Sequence, residues 1–213
     1  MDYLSIIFII GFIILVHEAG HFAAARLSGI PIAVFSVGFG PKIAAFRRGG
    51  TEYRLSAVPL GGYVLPAIDD EKEFFAIPVS RRLVMTLGGP IANVAIAIAL
   101  LALVNAVAGG VSWAGVFIKP FEQAAAMSIR IVNAFAGLFG GGGELSGIVG
   151  IVAQGTAFVG GSGLRAAQFA AVLSLNLAVF NLLPLPALDG GKPCSTFSKS
   201  STPRRCARTC PWP

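Results

Sequence analysis

Residues 3–27 read YLSIIFIIGFIILVHEAGHFAAARL. From Leu4 to Val16 no side chain carries a charge, and then His17, Glu18 and His21 arrive within five positions. A helix needs roughly 20 apolar residues to cross a bilayer. This segment is long enough only if the helix continues through His-Glu-Ala-Gly-His to about Leu27. It has neither a basic leading region nor a small-residue cleavage site, so it is expected to be retained rather than removed as a secretory leader. Ionisable residues inside an apolar span are costly and mark functional positions by default.

Two further uncharged runs, Leu83–Val111 and Ala166–Leu188, are long enough to span. The whole chain agrees with them. Of its 213 residues 55% are hydrophobic and only 12% charged, against about a quarter charged in a soluble domain, and the mean hydropathy is +0.78. The expected fold is a membrane all-α bundle of three or more transmembrane helices, at about 3–27, 82–107 and 164–183. Between the first two, VFSVGFGPKIAAFRRGGTEYRLSAVPLGGYVL (34–65) has two strand-like stretches around Arg47-Arg48-Gly49-Gly50, the pattern of a small membrane-associated β-hairpin. The acidic run Asp69–Glu73 reads as a solvated loop. An amphipathic helix at about 122–139 is expected to lie at the membrane interface. The glycine-rich Gly137–Gly147 reads as a linker, since it lacks the Lys-Ser/Thr of a phosphate loop.

The net charge of +6 carries no nucleic-acid signature, because no basic stripe is interleaved with aromatics. It follows topology instead. Eight Lys/Arg lie between Arg26 and Arg82, but only Lys119 and Arg130 between Ala108 and Gly163. The positive-inside bias puts the first loop in the cytoplasm and the N-terminus outside. The C-terminal ends of helices 1 and 3 then share the cytoplasmic side.

His17 and His21, spaced i, i+4, place both rings on one helix face, where they can share a metal; Glu18, about 100° away, can polarise a water held there. These are the only two histidines in the chain. The bland alternative is a pair of hydrogen-bonded core histidines. A third ligand is offered by Asp189 in NLLPLPALDGG (181–191), the only acid after Glu144. Asp-Gly is also an ordinary turn dipeptide, but this one follows a spanning helix on the same side as the histidines. Asn181 can hydrogen-bond a substrate carbonyl or satisfy a backbone group freed by Pro184 and Pro186. With zinc (Zn2+), such a set leaves a position open for water, and Glu18 would take that water's proton and deliver it to the leaving amine.

Together HEAGH (17–21) and NLLPLPALDGG resemble the site-2 protease family of intramembrane zinc metalloproteases. FSVGFGP, VPLGGYV, GGPIANV (88–94) and LSGIVGI (145–151) fit the same pattern. The resemblance covers about residues 1–192. It implies His17, His21 and Asp189 as zinc ligands, Glu18 as general base, and a hairpin that receives substrate as an added strand. It further implies cleavage of transmembrane segments of membrane-anchored proteins, an anti-sigma factor or similar regulator among them, by a multi-pass protein of the cell membrane whose active site faces the cytoplasm. Family members often carry a PDZ domain, for which 108–163 is too short. The alternatives are a catalytically silent scaffold of the same fold and an ion-coupled transporter, although the internal repeats a transporter predicts are not found.

The last 21 residues, 193–213, break the pattern with a tail rich in Ser, Pro, Arg and all three cysteines, Cys194, Cys206 and Cys210. Regrouping its codons from the last base of the Lys192 codon gives an apolar start to another helix. We therefore read the tail as out of frame.

Overall fold

The computed structural model describes residues 3–68, 71–139 and 148–182. Three of its helices are long and apolar enough to cross a membrane: α1 (Tyr3–Leu27), α3 (Val79–Gly109) and α7 (Gly163–Leu182). The chain is a mostly helical membrane bundle with a small β-sheet between the first two spans, as its sequence pattern predicts. At 31 residues α3 is about 46 Å long, more than the roughly 30 Å hydrocarbon core. In its first turns the Arg82 guanidinium lies over the rings of Phe74 and Phe75. Those rings belong to α2 (Glu71–Ala76), a short helix where the sequence reads as loop.

α1 and α3 meet backbone to backbone. A Cβ on Gly20 would fall 2.6 Å from Ala92 Cβ, and one on Gly88 would fall 2.5 Å from Ala24 Cβ. Small residues permit this approach where lipid gives no hydrophobic drive for helices to associate. α7 runs antiparallel to α3, with Ser174 Oγ donating to the Asn93 carbonyl at 2.9 Å.

Beyond α3, a short turn of helix, α4 (Trp113–Phe117), is capped by Ser112, whose Oγ accepts from Gly115 N. α5 (Lys119–Phe139) follows. Asn105 on α3 and Gln123 on α5 exchange reciprocal amide hydrogen bonds at 3.1 and 3.3 Å. At the other end of α5, Phe135 packs edge-on against Phe180. Between these points Ala124, Met127 and Ile131 pack on a core of Ala97, Leu101, Ala171 and Leu175. The amphipathic helix expected at an interface thus has its length against α3 and α7. α6 (Ile148–Val159) docks on α7 where Gly155 leaves room for the Phe169 ring.

The sheet is built from β1 (Ile32–Arg48) and β2 (Thr51–Pro66), two long strands that pair antiparallel and both bend. Val34 aligns with both Leu65 and Glu52, and Tyr53 aligns with both Phe35 and Phe46. The spatial order of segments is therefore 62–66, 32–37, 51–56 and 42–48. The bends fall at Gly38 and Gly40, with φ of 88° and 85°, and at Gly61, a region glycine enters without strain. Positions 32–38 alternate buried and half-buried, whereas 39–48 are all exposed. That outer half carries Phe39, Ile43 and Phe46 on its surface, an apolar patch suited to lipid rather than water.

Glu52 ties the sheet together. Its carboxylate accepts from Arg54 (2.8 Å), Lys42 (3.1 Å) and Arg47 (3.2 Å). Bonds from Arg54 first, then Lys42 and Arg47, bring its pKa from 4.5 down to about 2. A depressed carboxylate pKa stabilises the fold above the unfolded value and loses that contribution as pH falls through the folded one. Protection of the sheet amides, referred to the intrinsic exchange rate at each pH, is therefore expected to fall between about pH 4.5 and 2. In Glu52→Gln protection at pH 7 should be lower and this acid step absent; an unchanged acid step would show that another group governs it.

Candidate metal centre

The four-residue spacing of His17 and His21 on α1 turns both rings toward α3. Their Nε2 atoms lie 3.0 Å apart, and the rings meet edge-on with centroids 4.6 Å apart. Each ring is held from behind. His21 Nδ1 is 2.8 Å from the Met85 carbonyl, which can only accept, so Nδ1 carries the proton and Nε2 keeps its lone pair. His17 Nδ1 is 3.1 Å from the Asn93 carboxamide. The Gly89 carbonyl accepts from the same ring.

Gly89 is the floor of this cradle. A Cβ there would sit 2.7 Å from both Cε1 and Nε2 of His17 and closer still to His21 Nε2. The Gly88-Gly89-Pro90 run thus serves two ends: Gly88 admits the α1 backbone, and Gly89 admits the imidazoles. Neither role is legible from sequence without knowing which helix lies opposite.

Asn181, on the last turn of α7, brings its side chain to 2.9 Å from His17 Nε2. Three helices thereby contribute to one pair of rings. Glu18 lies on the neighbouring flank of α1, beside the sheet. The Val64 main chain hydrogen-bonds its carboxylate, and a Cβ on Gly62 would be 3.3 Å from Glu18 Cγ. Segment 62–66 is an outer segment of the sheet, with no further strand paired beyond it among the described residues, and the general-base candidate lies beside it.

Two imidazole nitrogens bound to one tetrahedral zinc at about 2.0–2.1 Å stand about 3.3 Å apart. The observed 3.0 Å separation is within a few tenths of that, and both backs are anchored. The donors present fit the ion. Among the described residues no group of three or more His, Cys, Asp and Glu converges. Asp189, the sequence's candidate for the third ligand, lies outside the described residues, as do Pro184, Pro186 and the tail from Pro193. His17, His21 and Asn181 are brought together, with Glu18 adjacent.

Met85, Gly89 and Asn93 are partners that reasoning from single residues missed. The signal was there for Asn93: a carboxamide in the middle of an uncharged span needs a partner as much as a histidine does.

Two converging imidazoles and an adjacent carboxylate, in a bundle with helices long and apolar enough to cross a membrane, form a candidate intramembrane metal centre. Residues 5–208 match the family model for peptidase family M50, and the chain belongs to that family. The match ends beyond Lys192, the boundary expected for the domain. Among similar proteins, "Putative zinc metalloprotease RSc1411" of Ralstonia nicotianae is 40% identical over 120 residues, 47% of this chain and 26% of the relative. "Putative zinc metalloprotease slr1821" of Synechocystis is 41% identical over 107 residues, 46% of this chain and 29% of the relative. "Probable membrane metalloprotease ARASP2, chloroplastic" of Arabidopsis thaliana is 40% identical over 99 residues, 42% of this chain and 22% of the relative. The aligned part of this chain spans less than a third of the length of each.

Proposed function

We propose that this chain is a zinc metalloendopeptidase that cleaves transmembrane segments of membrane-anchored proteins. The observation that carries the reading is the convergence of His17 and His21 Nε2, each imidazole braced from α3, beside Glu18 and the outer sheet segment 62–66. Family membership and the names of the zinc metalloprotease relatives support it.

His17 and His21 hold the metal with Asp189, a two-His, one-carboxylate set that leaves one position open. Zinc bound there supplies a Lewis acid, which polarises a peptide carbonyl and brings water's pKa toward about 7. The protein's own groups do the rest. Glu18 accepts the proton of the attacking water and returns it to the departing amine. The Asn181 carboxamide donates to the carbonyl oxygen as negative charge gathers on it. Segment 62–66 pairs with the substrate as an added strand. Because Gly62 has no side chain, that strand can lie within reach of Glu18.

In this reading the catalytic unit is residues 1–192. It resides in the cell membrane with its active site toward the cytoplasm, and its substrates include anchored regulators such as anti-sigma factors. The tail from Pro193 is an out-of-frame product; a tail peptide found in a digest of the native protein would refute that part.

The test is metal content and cleavage measured on the same preparations. Wild type is expected to hold one zinc per chain, to lose cleavage of a model transmembrane substrate on chelation, and to regain it with zinc. His17→Ala should abolish zinc binding, and Asp189→Asn should weaken it at least about tenfold through loss of a charged ligand. A full zinc complement in Asp189→Asn would remove that residue from the ligand set. Cleavage that survives complete chelation would end the metalloprotease reading.

A further inference from the structure

Asn93 is completely buried in α3, and its Oδ1 has no hydrogen-bond partner among the described residues. A buried polar atom left unpaired is costly, so the side chain is there for something other than packing. Its other end, Nδ2, faces His17 Nδ1 at 3.1 Å. The two ends of a carboxamide are nearly isosteric, so their orientation follows the proton on the imidazole.

The two orientations have different consequences. With Nδ2 toward the ring, His17 Nδ1 is an acceptor and its proton sits on Nε2. That Nε2–H then donates to His21 Nε2 across 3.0 Å, the two rings satisfy each other, and neither His17 nitrogen has a lone pair for a metal. With Oδ1 toward the ring, it accepts Nδ1–H. The Nε2 lone pair of His17 then points toward that of His21, whose own tautomer the Met85 carbonyl fixes. Two lone pairs facing at this distance repel unless a cation lies between them or the Asn181 carboxamide, 2.9 Å from His17 Nε2, donates to one of them.

We propose that Asn93 is a positioning residue for the metal centre: its carboxamide oxygen accepts Nδ1–H of His17 and fixes the tautomer in which both Nε2 lone pairs converge. This rests on the metal reading above. The main chain supports the side chain's placement, since the Asn93 carbonyl is tied to α7 by Ser174 Oγ at 2.9 Å. Outer partners of this kind are typically worth 10–100-fold in metal affinity.

The experiment measures zinc affinity of the full chain in detergent by chelator competition, together with the visible spectrum of the cobalt-substituted protein. Asn93→Leu, close in size and without an acceptor, is expected to bind zinc at least about tenfold more weakly. Asn93→Asp restores an acceptor and should bind within about threefold of wild type, with a shifted cobalt band as the donor strength of His17 rises. Asn105→Leu removes a carboxamide from the same helix far from the rings, and should leave affinity and spectrum unchanged. Wild-type affinity in Asn93→Leu overturns the proposal. Should that variant fail to accumulate, Asn93→Asp decides: an unmoved cobalt band shows that the residue does not act through His17. A wild-type chain that binds no zinc defeats the metal reading itself, a result distinct from either.

Discussion

Glu18→Gln is expected to lower cleavage of a membrane-anchored substrate by about 10²- to 10⁴-fold, the range for loss of a positioned proton-transfer group, while zinc content stays at wild-type level. The substitution keeps the shape of the side chain and an oxygen that can still accept from the Val64 main chain. It removes only the ability to take a proton from water. Glu18 sits outside the pair of imidazoles that converge, so the metal should not notice the change. Cleavage and metal content measured on one preparation separate the outcomes. Zinc lost with activity would make Glu18 a ligand, and activity retained would move the general base elsewhere.

Gly89→Ala is expected to be as damaging by a different route. The added methyl would enter the space occupied by His17 Cε1 and Nε2 and by His21 Nε2. The rings cannot simply swing aside, because Met85 holds one and Asn93 the other. At least about a tenfold loss of zinc affinity should follow, of the size seen when ligand orientation is disturbed, with cleavage falling in parallel. The natural control is Gly109→Ala in the last turn of the same helix, where a Cβ meets nothing within 4 Å. There the change should be neutral or stabilising by up to about 1 kcal/mol, since alanine is the better helix former. If the two alanine variants bind zinc alike, the cradle described here is not rigid.

The sequence carried the fold well where one signal dominated. The apolar run after Tyr3 reaches spanning length only if the helix continues through the ionisable positions, so α1 was legible at Tyr3–Leu27. The paired strands around Arg47–Gly50 were equally plain, because glycine and alternating apolar residues punctuate them. What stayed hidden were features set by contacts distant in sequence. The doubling of the sheet, in which Tyr53 lies between Phe35 and Phe46, depends on bends at Gly38, Gly40 and Gly61 that a two-residue alternation cannot place. α6, at Ile148–Val159, lies in a stretch with no run of spanning length, and its helical state is secured by packing of Gly155 against Phe169. The metal centre divides the same way. His17, Glu18 and His21 announce themselves by spacing within one helix, whereas Met85, Gly89 and Asn93 act only because α3 crosses α1 at Gly20 and Gly88.

That crossing, with Asn181 reaching in from α7, gives the histidine pair a second consequence. An ion seated between rings that α3 and α7 both grip is a rivet through three helices. Mass action makes such a rivet stabilise the folded chain by roughly 4 kcal/mol when the free ion stands a thousandfold above its dissociation constant. A typical domain has only 5–15 kcal/mol in hand. Zinc supply would then govern how long the protein lasts in the membrane as well as how fast it works. With the ion scarce, the loosened bundle would be expected to open more often and to be degraded sooner.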